Sequence, residues 1–239
     1  MIMQDTENKR IFKLFGVSSE ALCMAKQKIE QASNGLAELT YRESYGDFLV
    51  EISFDKYLDS NEADKAIQSF LLTFNEFVYA VQDISLAEMA FSRLKLGERM
   101  LKTAESFTGG GLANAIVCLE GASNYFYEGL VCYNEQAKVS RLGVSNDTLK
   151  AHTAVSSEVA VQMVKGLLAS GNCDIAVATT GYASPPKNKE LGGTCFIAVG
   201  DDNMVKVRRY KFSGDRESVI KQGVNAGLFA LCKALSGLI

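Results

Sequence analysis

The chain has 239 residues and a net charge of −3, and 47% of its residues are apolar while 22% are charged. Such a length and composition are ordinary for a globular protein with a hydrophobic core of its own. The lack of a basic excess argues against a protein that grips nucleic acid or an anionic membrane, and the lack of an apolar run of 18 residues predicts no transmembrane helix.

The first third of the sequence predicts a small α+β unit over residues 1–83. Its first ten residues are polar and lack the pattern of a secretory signal, so we expect a cytoplasmic protein. Alternating and helical spacings of apolar residues then predict strands over 9–15, 36–41, 48–54 and 77–81, with helices from 18 onward and over 61–77. Tyr45-Gly46-Asp47 is the predicted hairpin turn. The order β-α-β-β-α-β fits a split-βαβ or KH-like module.

The remaining residues, 84–239, predict an α/β domain with a mixed sheet. Ser85 to Glu88 reads as a capping box that begins a helix, and Gly97 ends that helix. Strands are then predicted over 99–104, 124–133, 174–180, 194–199 and 204–212, with helices over 110–119, over 156–169 and from 215 onward. Pro185-Pro186 predicts a loop. Because strands and helices alternate, the sheet is expected to be covered by helices.

The cysteines and the histidine limit the chemistry that we expect. The six cysteines form no CxxC pair and lie in apolar stretches, which favours buried free thiols over disulfides or a metal site. A single histidine, His152, excludes a histidine-rich metal cluster. We therefore predict no metal and no cofactor.

The stretch TAESFTGGG, residues 103–111, is a strand end that turns into a helix start. Unpaired backbone N–H groups and glycines at such a place form a cradle for a phosphate, and Ser106 and Thr108 add hydroxyl donors beside Gly109 and Gly110. The alternative is a simple capped turn, and the residues alone do not decide between the two.

A second stretch, residues 121–138, contains a serine, a tyrosine and a lysine that could carry acyl transfer. Ser123 lies on a tight Gly-Ala-Ser turn, Tyr133 ends the next strand, and Lys138 follows one helical turn later. A lysine base must be neutral, and burial can lower its pKa enough to supply the neutral amine. Spacing does not show that these side chains meet, so a turn serine and a solvated lysine remain the alternative.

Two further stretches are candidates for substrate contacts. Thr180 and Gly181 follow an apolar strand, and binding sites of open α/β sheets lie at the carboxyl ends of strands. Arg216 lies at a helix start in FSGDR and could bind a phosphate or carboxylate with two hydrogen bonds. The alternatives are a plain strand exit and a surface arginine paired with Asp215 or Glu217.

Taken in order, these stretches resemble the C-terminal domain of the CinA family. The family pattern contains TAESCTGG, GSS, RGFVTYSNEAK, GVS, HGAVS, AVTGIAGP and FSGDR. The sequence has TAESFTGG at 103–110, GAS at 121–123, EGLVCYNEQAK at 128–138, GVS at 143–145, HTAVS at 152–156, ATTGYASP at 178–185 and FSGDR at 212–216. The similarity covers residues 84–239, and residues 9–83 resemble the KH-type domain that precedes this domain in the family.

The resemblance implies a nicotinamide-nucleotide amidase that converts nicotinamide mononucleotide to nicotinate mononucleotide and ammonia. It implies Ser123 as the nucleophile, Lys138 as the general base and Tyr133 as a proton relay. It places the remaining candidate residues at the substrate: Ser106, Thr108, Gly109, Gly110, Thr180, Gly181 and Arg216. We expect the protein to form a homo-oligomer. We expect it to bind a small nucleotide substrate, and to bind neither nucleic acid nor a membrane.

Several positions depart from the family pattern. Phe107 replaces a cysteine, Glu128 replaces an arginine, Glu135 replaces an asparagine, and a loop beginning at Ser184 replaces a glycine-rich one. These changes keep open a catalytically inactive nucleotide-binding or regulatory protein as the alternative. An RNA-binding adaptor is a further alternative, although residues 9–83 contain no GxxG loop and no basic face.

Overall fold

The computed structural model describes residues 8–184 and 189–237. The chain divides into two compact units between Ser85 and Leu86, and each unit has its own sheet and its own hydrophobic core. The predicted loop at Pro185-Pro186 lies outside the described residues.

The first unit is a four-stranded antiparallel sheet with two helices. Alternate residues of the strands, such as Phe12, Leu39 and Val50, are buried and share one core with Leu22 and Phe70 of the helices. The strand order is β2-β3-β1-β4. The elements are β1 (Lys9–Phe15), α1 (Ser19–Ala32), β2 (Ala37–Ser44), β3 (Asp47–Phe54), α2 (Ser60–Phe74) and β4 (Val78–Ala80).

The β2–β3 hairpin turns at Tyr45 and Gly46, because Ser44 and Asp47 are already paired across the strands. Both turn residues have positive φ, 52° and 78°. This is the backbone that a two-residue turn of the primed type requires, and it matches the right-handed twist of the strands.

The second unit is a five-stranded mixed sheet with helices on both faces. The strand order is β6-β5-β7-β8-β9, in which β6, β5 and β7 are parallel while β8 and β9 are antiparallel additions. The mixed α/β architecture is therefore as predicted. The elements are α3 (Leu86–Leu96), β5 (Leu101–Glu105), α4 (Gly111–Val117), β6 (Phe126–Val131), α5 (Glu135–Leu142), α6 (Asn146–His152), α7 (Ser157–Ala169), β7 (Ile175–Gly181), β8 (Thr194–Gly200), β9 (Val205–Lys211) and α8 (Arg216–Leu235).

Two short helices, α5 and α6, were not predicted from the sequence. Each begins at a residue whose side chain accepts a hydrogen bond from the backbone two residues on: Asn134 for α5 and Ser145 for α6. These helix caps were the available signal. Helix α5 determines where Lys138 lies.

Because β5, β6 and β7 are parallel, their last residues meet at one edge of the sheet, which we call the carboxyl edge. Glu105, Val131 and Gly181 end the three strands there. The chain segments that follow these strands carry most of the candidate functional residues, as expected for an open α/β sheet.

Three of the six cysteines are buried, whereas Cys23 and Cys118 are exposed and Cys173 is half-buried, so the expectation of buried thiols was wrong for half of them. All six are free thiols. Within residues 8–184 and 189–237, no helix is long and apolar enough to cross a membrane.

Candidate active site

The start of α4 is occupied by a side chain of the protein itself. The Glu105 carboxylate accepts hydrogen bonds from the backbone N–H groups of Gly110, Leu112 and Ala113 at 2.8–3.0 Å. These are the donors that a phosphate would need. In this structure a carboxylate of the chain itself therefore occupies N–H donors beside Gly109 and Gly110, where the sequence predicts a phosphate.

The Thr108 hydroxyl is also hydrogen-bonded within the protein. Its hydroxyl lies 2.7 Å from the hydroxyl of Thr179, and it is 3% exposed. The backbone N–H of Ser106 donates to the Thr179 carbonyl oxygen at 3.0 Å. The loop after β5 is thus fixed to the end of β7, which holds Ser106 at the carboxyl edge.

Ser106 lies against Lys138. The Lys138 Nζ is 2.9 Å from the Ser106 Oγ and 2.7 Å from the Cys132 carbonyl oxygen, at the start of the chain segment that leads from β6 into α5. Lys138 is 1% exposed and Ser106 is 8% exposed. This is the distance at which a lysine amine could act as a base toward a serine hydroxyl.

Burial lowers the pKa of the Lys138 ammonium below its ordinary value of 10.5. Desolvation disfavours the charged form, while Cys132 and Glu135 oppose the shift through their charges. A lowered pKa increases the fraction of neutral amine near pH 7, and the neutral amine is the form that can accept a proton from a serine.

Ser123 does not meet Lys138. It lies in a 3-10 turn, Ala122–Asn124, that precedes β6, and its residue is exposed. Strand β6 runs from this end of the sheet to the carboxyl edge over six residues. At about 3.3 Å per residue, the strand separates Ser123 from the Lys138 region by roughly 17 Å. The structure therefore does not bring Ser123 to Lys138, and the serine beside the lysine is Ser106.

Tyr133 and Arg216 meet at the carboxyl edge. One guanidinium nitrogen of Arg216 donates to the Tyr133 hydroxyl at 2.8 Å, and the other donates to the Ser184 hydroxyl at 3.3 Å. Tyr133 is 60% exposed. The tyrosine hydroxyl thus contacts the arginine, which stands at the beginning of α8.

Thr180 lies beside Ser106, whereas Gly181 has a packing role. The backbone N–H of Ser106 donates to the carbonyl oxygen of Thr179, the residue that precedes Thr180, at 3.0 Å. A Cβ on Gly181 would stand 2.6 Å from the Cys195 Sγ, so this glycine is required by the close approach of that side chain.

Two of the residues that depart from the family pattern, Glu128 and Phe107, make specific contacts with neighbouring residues. Glu128 pairs at 2.8 Å with the buried ammonium of Lys102 on the neighbouring strand. Phe107 is 3% exposed and packs on Gly223, where a Cβ would approach its ring to 2.3 Å. Among the other departures, Glu135 lies in the first turn of α5 and Ser184 accepts from Arg216.

Comparison with known proteins identifies relatives of the second unit and, in part, of the whole chain. The family model of the CinA C-terminal domain matches residues 83–235. A CinA-like protein of Chlorobium chlorochromatii is 36% identical over 212 residues, which are 86% of this chain and 50% of that protein. The chain spans about half the length of the curated relatives it matches.

Solved structures are similar to the second unit. A competence-damaged protein (CinA) superfamily protein from Klebsiella pneumoniae has a TM-score of 0.61 and 32% identity, covering 64% of this chain and 96% of that one. A competence or damage-inducible protein from Enterobacter asburiae has a TM-score of 0.60 and 31% identity, covering 66% of this chain and 100% of that one.

Proposed function

The chain belongs to the CinA family, and from this membership and the geometry of the carboxyl edge we propose that it hydrolyses a carboxamide, with Ser106 as the nucleophile and Lys138 as the general base. The observation that carries the proposal is the 2.9 Å distance between the Lys138 Nζ and the Ser106 Oγ. The lowered pKa of the lysine supports the same roles.

The reaction would proceed through an acyl-enzyme. Neutral Lys138 takes the hydroxyl proton as the Ser106 Oγ attacks the carboxamide carbon, and the carbonyl oxygen becomes an oxyanion. The Lys138 ammonium then gives its proton to the departing nitrogen, so that ammonia leaves and an ester on Ser106 remains. Water, deprotonated by the same lysine, attacks this ester and releases the carboxylic acid product.

Donors for the oxyanion are available next to Ser106. Within the described parts of the chain, the backbone N–H groups of Phe107 and Thr108 donate to no acceptor. A backbone donor beside the nucleophile stabilises the charge that develops on the carbonyl oxygen. These two amides are therefore our candidates for the oxyanion site.

The proposed substrate is nicotinamide mononucleotide, as the family resemblance implies. With the α4 start filled by Glu105, the phosphate has a different candidate partner, namely Arg216 at the start of α8. The Tyr133 hydroxyl, which Arg216 already contacts, would then help to bind the substrate at the carboxyl edge. Its role in the proton path is not needed when Lys138 and Ser106 are in direct contact.

The decisive experiment compares Ser106→Ala with Ser123→Ala. We expect Ser106→Ala to lower kcat for ammonia release from nicotinamide mononucleotide by at least about 10⁴-fold, because removal of a nucleophile from an acyl-transfer site has effects of this size. Ser123→Ala is the matched control and should retain wild-type turnover, since its side chain lies at the other end of β6.

Thermal melts of the two variants separate loss of chemistry from loss of fold. A folded Ser106→Ala variant with wild-type turnover would remove this serine from the mechanism, and an inactive but folded Ser123→Ala variant would restore the prediction made from the sequence. Failure of the wild-type protein to release ammonia from any nicotinamide nucleotide would favour the inactive nucleotide-binding alternative.

A further inference from the structure

The segment between α6 and α7 carries a strained residue beside the proposed site. Thr153 has φ 65° and ψ 169°, a conformation that β-branched residues rarely adopt. Such strain costs free energy and is characteristically retained where a side chain must hold a functional position.

Hydrogen bonds on both sides keep the backbone of Thr153 in this conformation. Its N–H donates to the Leu149 carbonyl oxygen at 2.9 Å, and its own carbonyl oxygen accepts from the Ser156 hydroxyl at 3.1 Å. The next residue, Ala154, accepts from the Thr180 hydroxyl at 2.7 Å. The strained residue therefore cannot relax without breaking contacts on the sheet.

The contact with Thr180 places this segment next to the nucleophile. Thr180 directly follows Thr179, whose carbonyl oxygen accepts a hydrogen bond from the Ser106 N–H at 3.0 Å. Thr153 is exposed, and it precedes the residue that Thr180 contacts.

We propose that Thr153 is a specificity-determining residue whose side chain narrows the space above Ser106. This proposal rests on the proposed function of Ser106 as the nucleophile. A wall on this side would favour amides with a slim, planar acyl group over amides that are branched next to the carbonyl carbon.

The test measures labelling of Ser106 in the full chain by two fluorophosphonates that differ only in the bulk of their alkoxy groups. In each reaction the Ser106 Oγ bonds to phosphorus, fluoride leaves, and Lys138 takes the serine proton. We expect Thr153→Gly and Thr153→Ala to raise the ratio of bulky-probe to small-probe labelling rates roughly tenfold, which is the lower end of the range for discrimination of a methyl-sized group. Thr153→Val preserves the shape and should keep the wild-type ratio.

Strain relief is separated from specificity by a control at the opposite edge of the sheet. Glu98 also has positive φ, 49°, and precedes β5. Thr153→Gly and Glu98→Gly should both raise Tm, by about 2–6 °C for the threonine, but only the first should change the labelling ratio. Thr153→Ala should change the ratio without raising Tm.

Two results would overturn the proposal, and they are distinguishable. If Ser106 is labelled but the ratio is unchanged or smaller in both Thr153→Gly and Thr153→Ala, Thr153 has only a structural role and the proposed function stands. If the wild-type Ser106 reacts with neither probe, the proposed nucleophile fails and the assignment of Thr153 fails with it.

Discussion

At the residue scale, Lys138 combines near-complete burial with the absence of a carboxylate partner at its Nζ among the ion pairs of the described residues. Its hydrogen bonds go to Ser106 and to the Cys132 carbonyl oxygen. An ammonium in such surroundings is costly, so the fold itself pushes this lysine toward the neutral state.

We predict that kcat/KM of the wild-type protein rises with pH through the lowered pKa of Lys138, because the neutral amine is the base. Lys138→Arg should be inactive at every pH, since a guanidinium stays protonated. Initial rates of ammonia release measured across pH test both points. An active arginine variant would reduce Lys138 to a positioning cation.

The same pKa shift determines how stability should change with pH. Between the lowered folded pKa and the ordinary value of 10.5, the unfolded chain binds more protons at Lys138 than the folded chain does. The buried Lys138 ammonium therefore destabilises the folded state most at pH values below that window. This destabilisation decreases as pH rises through the window. The gain in melting temperature of Lys138→Met over wild type should accordingly be largest at pH values below this window and should shrink as pH rises through it.

At the element scale, the two helix starts at the carboxyl edge differ in what they can bind. Helix α4 has seven residues and a glycine N-cap, and the Glu105 carboxylate provides its missing acceptor. Helix α8 has twenty residues, is capped by Asp215 and presents Arg216 beside Tyr133. A carboxylate caps both helix starts, but only at α8 would a phosphate also meet the guanidinium of Arg216.

We therefore predict that Arg216→Ala selectively lowers kcat/KM for the mononucleotide and leaves the unphosphorylated riboside nearly unaffected. A charge-assisted hydrogen bond contributes about 1.5–3 kcal/mol, so the loss should be roughly 10- to 150-fold. The measurement is ammonia release from both substrates by wild type and variant. Equal losses for the two substrates would contradict a phosphate contact at α8.

At the scale of the whole molecule, the proposed chemistry belongs to the second unit. Ser106, Lys138 and Arg216 all lie after the division at Leu86, and this unit has its own buried core. The structural neighbour from Enterobacter asburiae is matched over its full length by 66% of this chain. A domain of this kind is expected to fold without the first unit.

Residues 86–239 alone should consequently fold cooperatively and keep the kcat/KM of the full chain for amide hydrolysis. Residues 8–85 expressed separately should fold around their own core and release no ammonia. Circular dichroism melts and activity assays of the two fragments provide the comparison. Loss of hydrolysis in a folded 86–239 fragment would show that the first unit takes part in the site.

The strands, the longer helices and the mixed α/β class could be predicted from the sequence. Periods of two and of 3.6 residues depend only on local spacing, so the strands and long helices could be read directly, and the continuous apolar run of β7 predicted a strand buried on both faces. The resemblance to the family was recognised from sequence motifs that occur in the same order, and such motifs can be read without a structure. The short helices α5 and α6 were missed because their few apolar residues give a weak periodic signal.

Which serine lies beside Lys138 depends on how the strands are arranged in the folded sheet. Ser106 and Ser123 both precede Lys138 in the chain, and spacing does not distinguish them. The parallel arrangement of β5 and β6 does, because it brings the ends of these strands to one edge and leaves the start of β6 at the other. The filling of the α4 start by Glu105 was likewise invisible in the sequence, since a glutamate before a glycine-rich turn can point toward solvent or fold back onto the helix. Side-chain direction at a strand end depends on the neighbouring strands, and these are brought together only by the folded sheet.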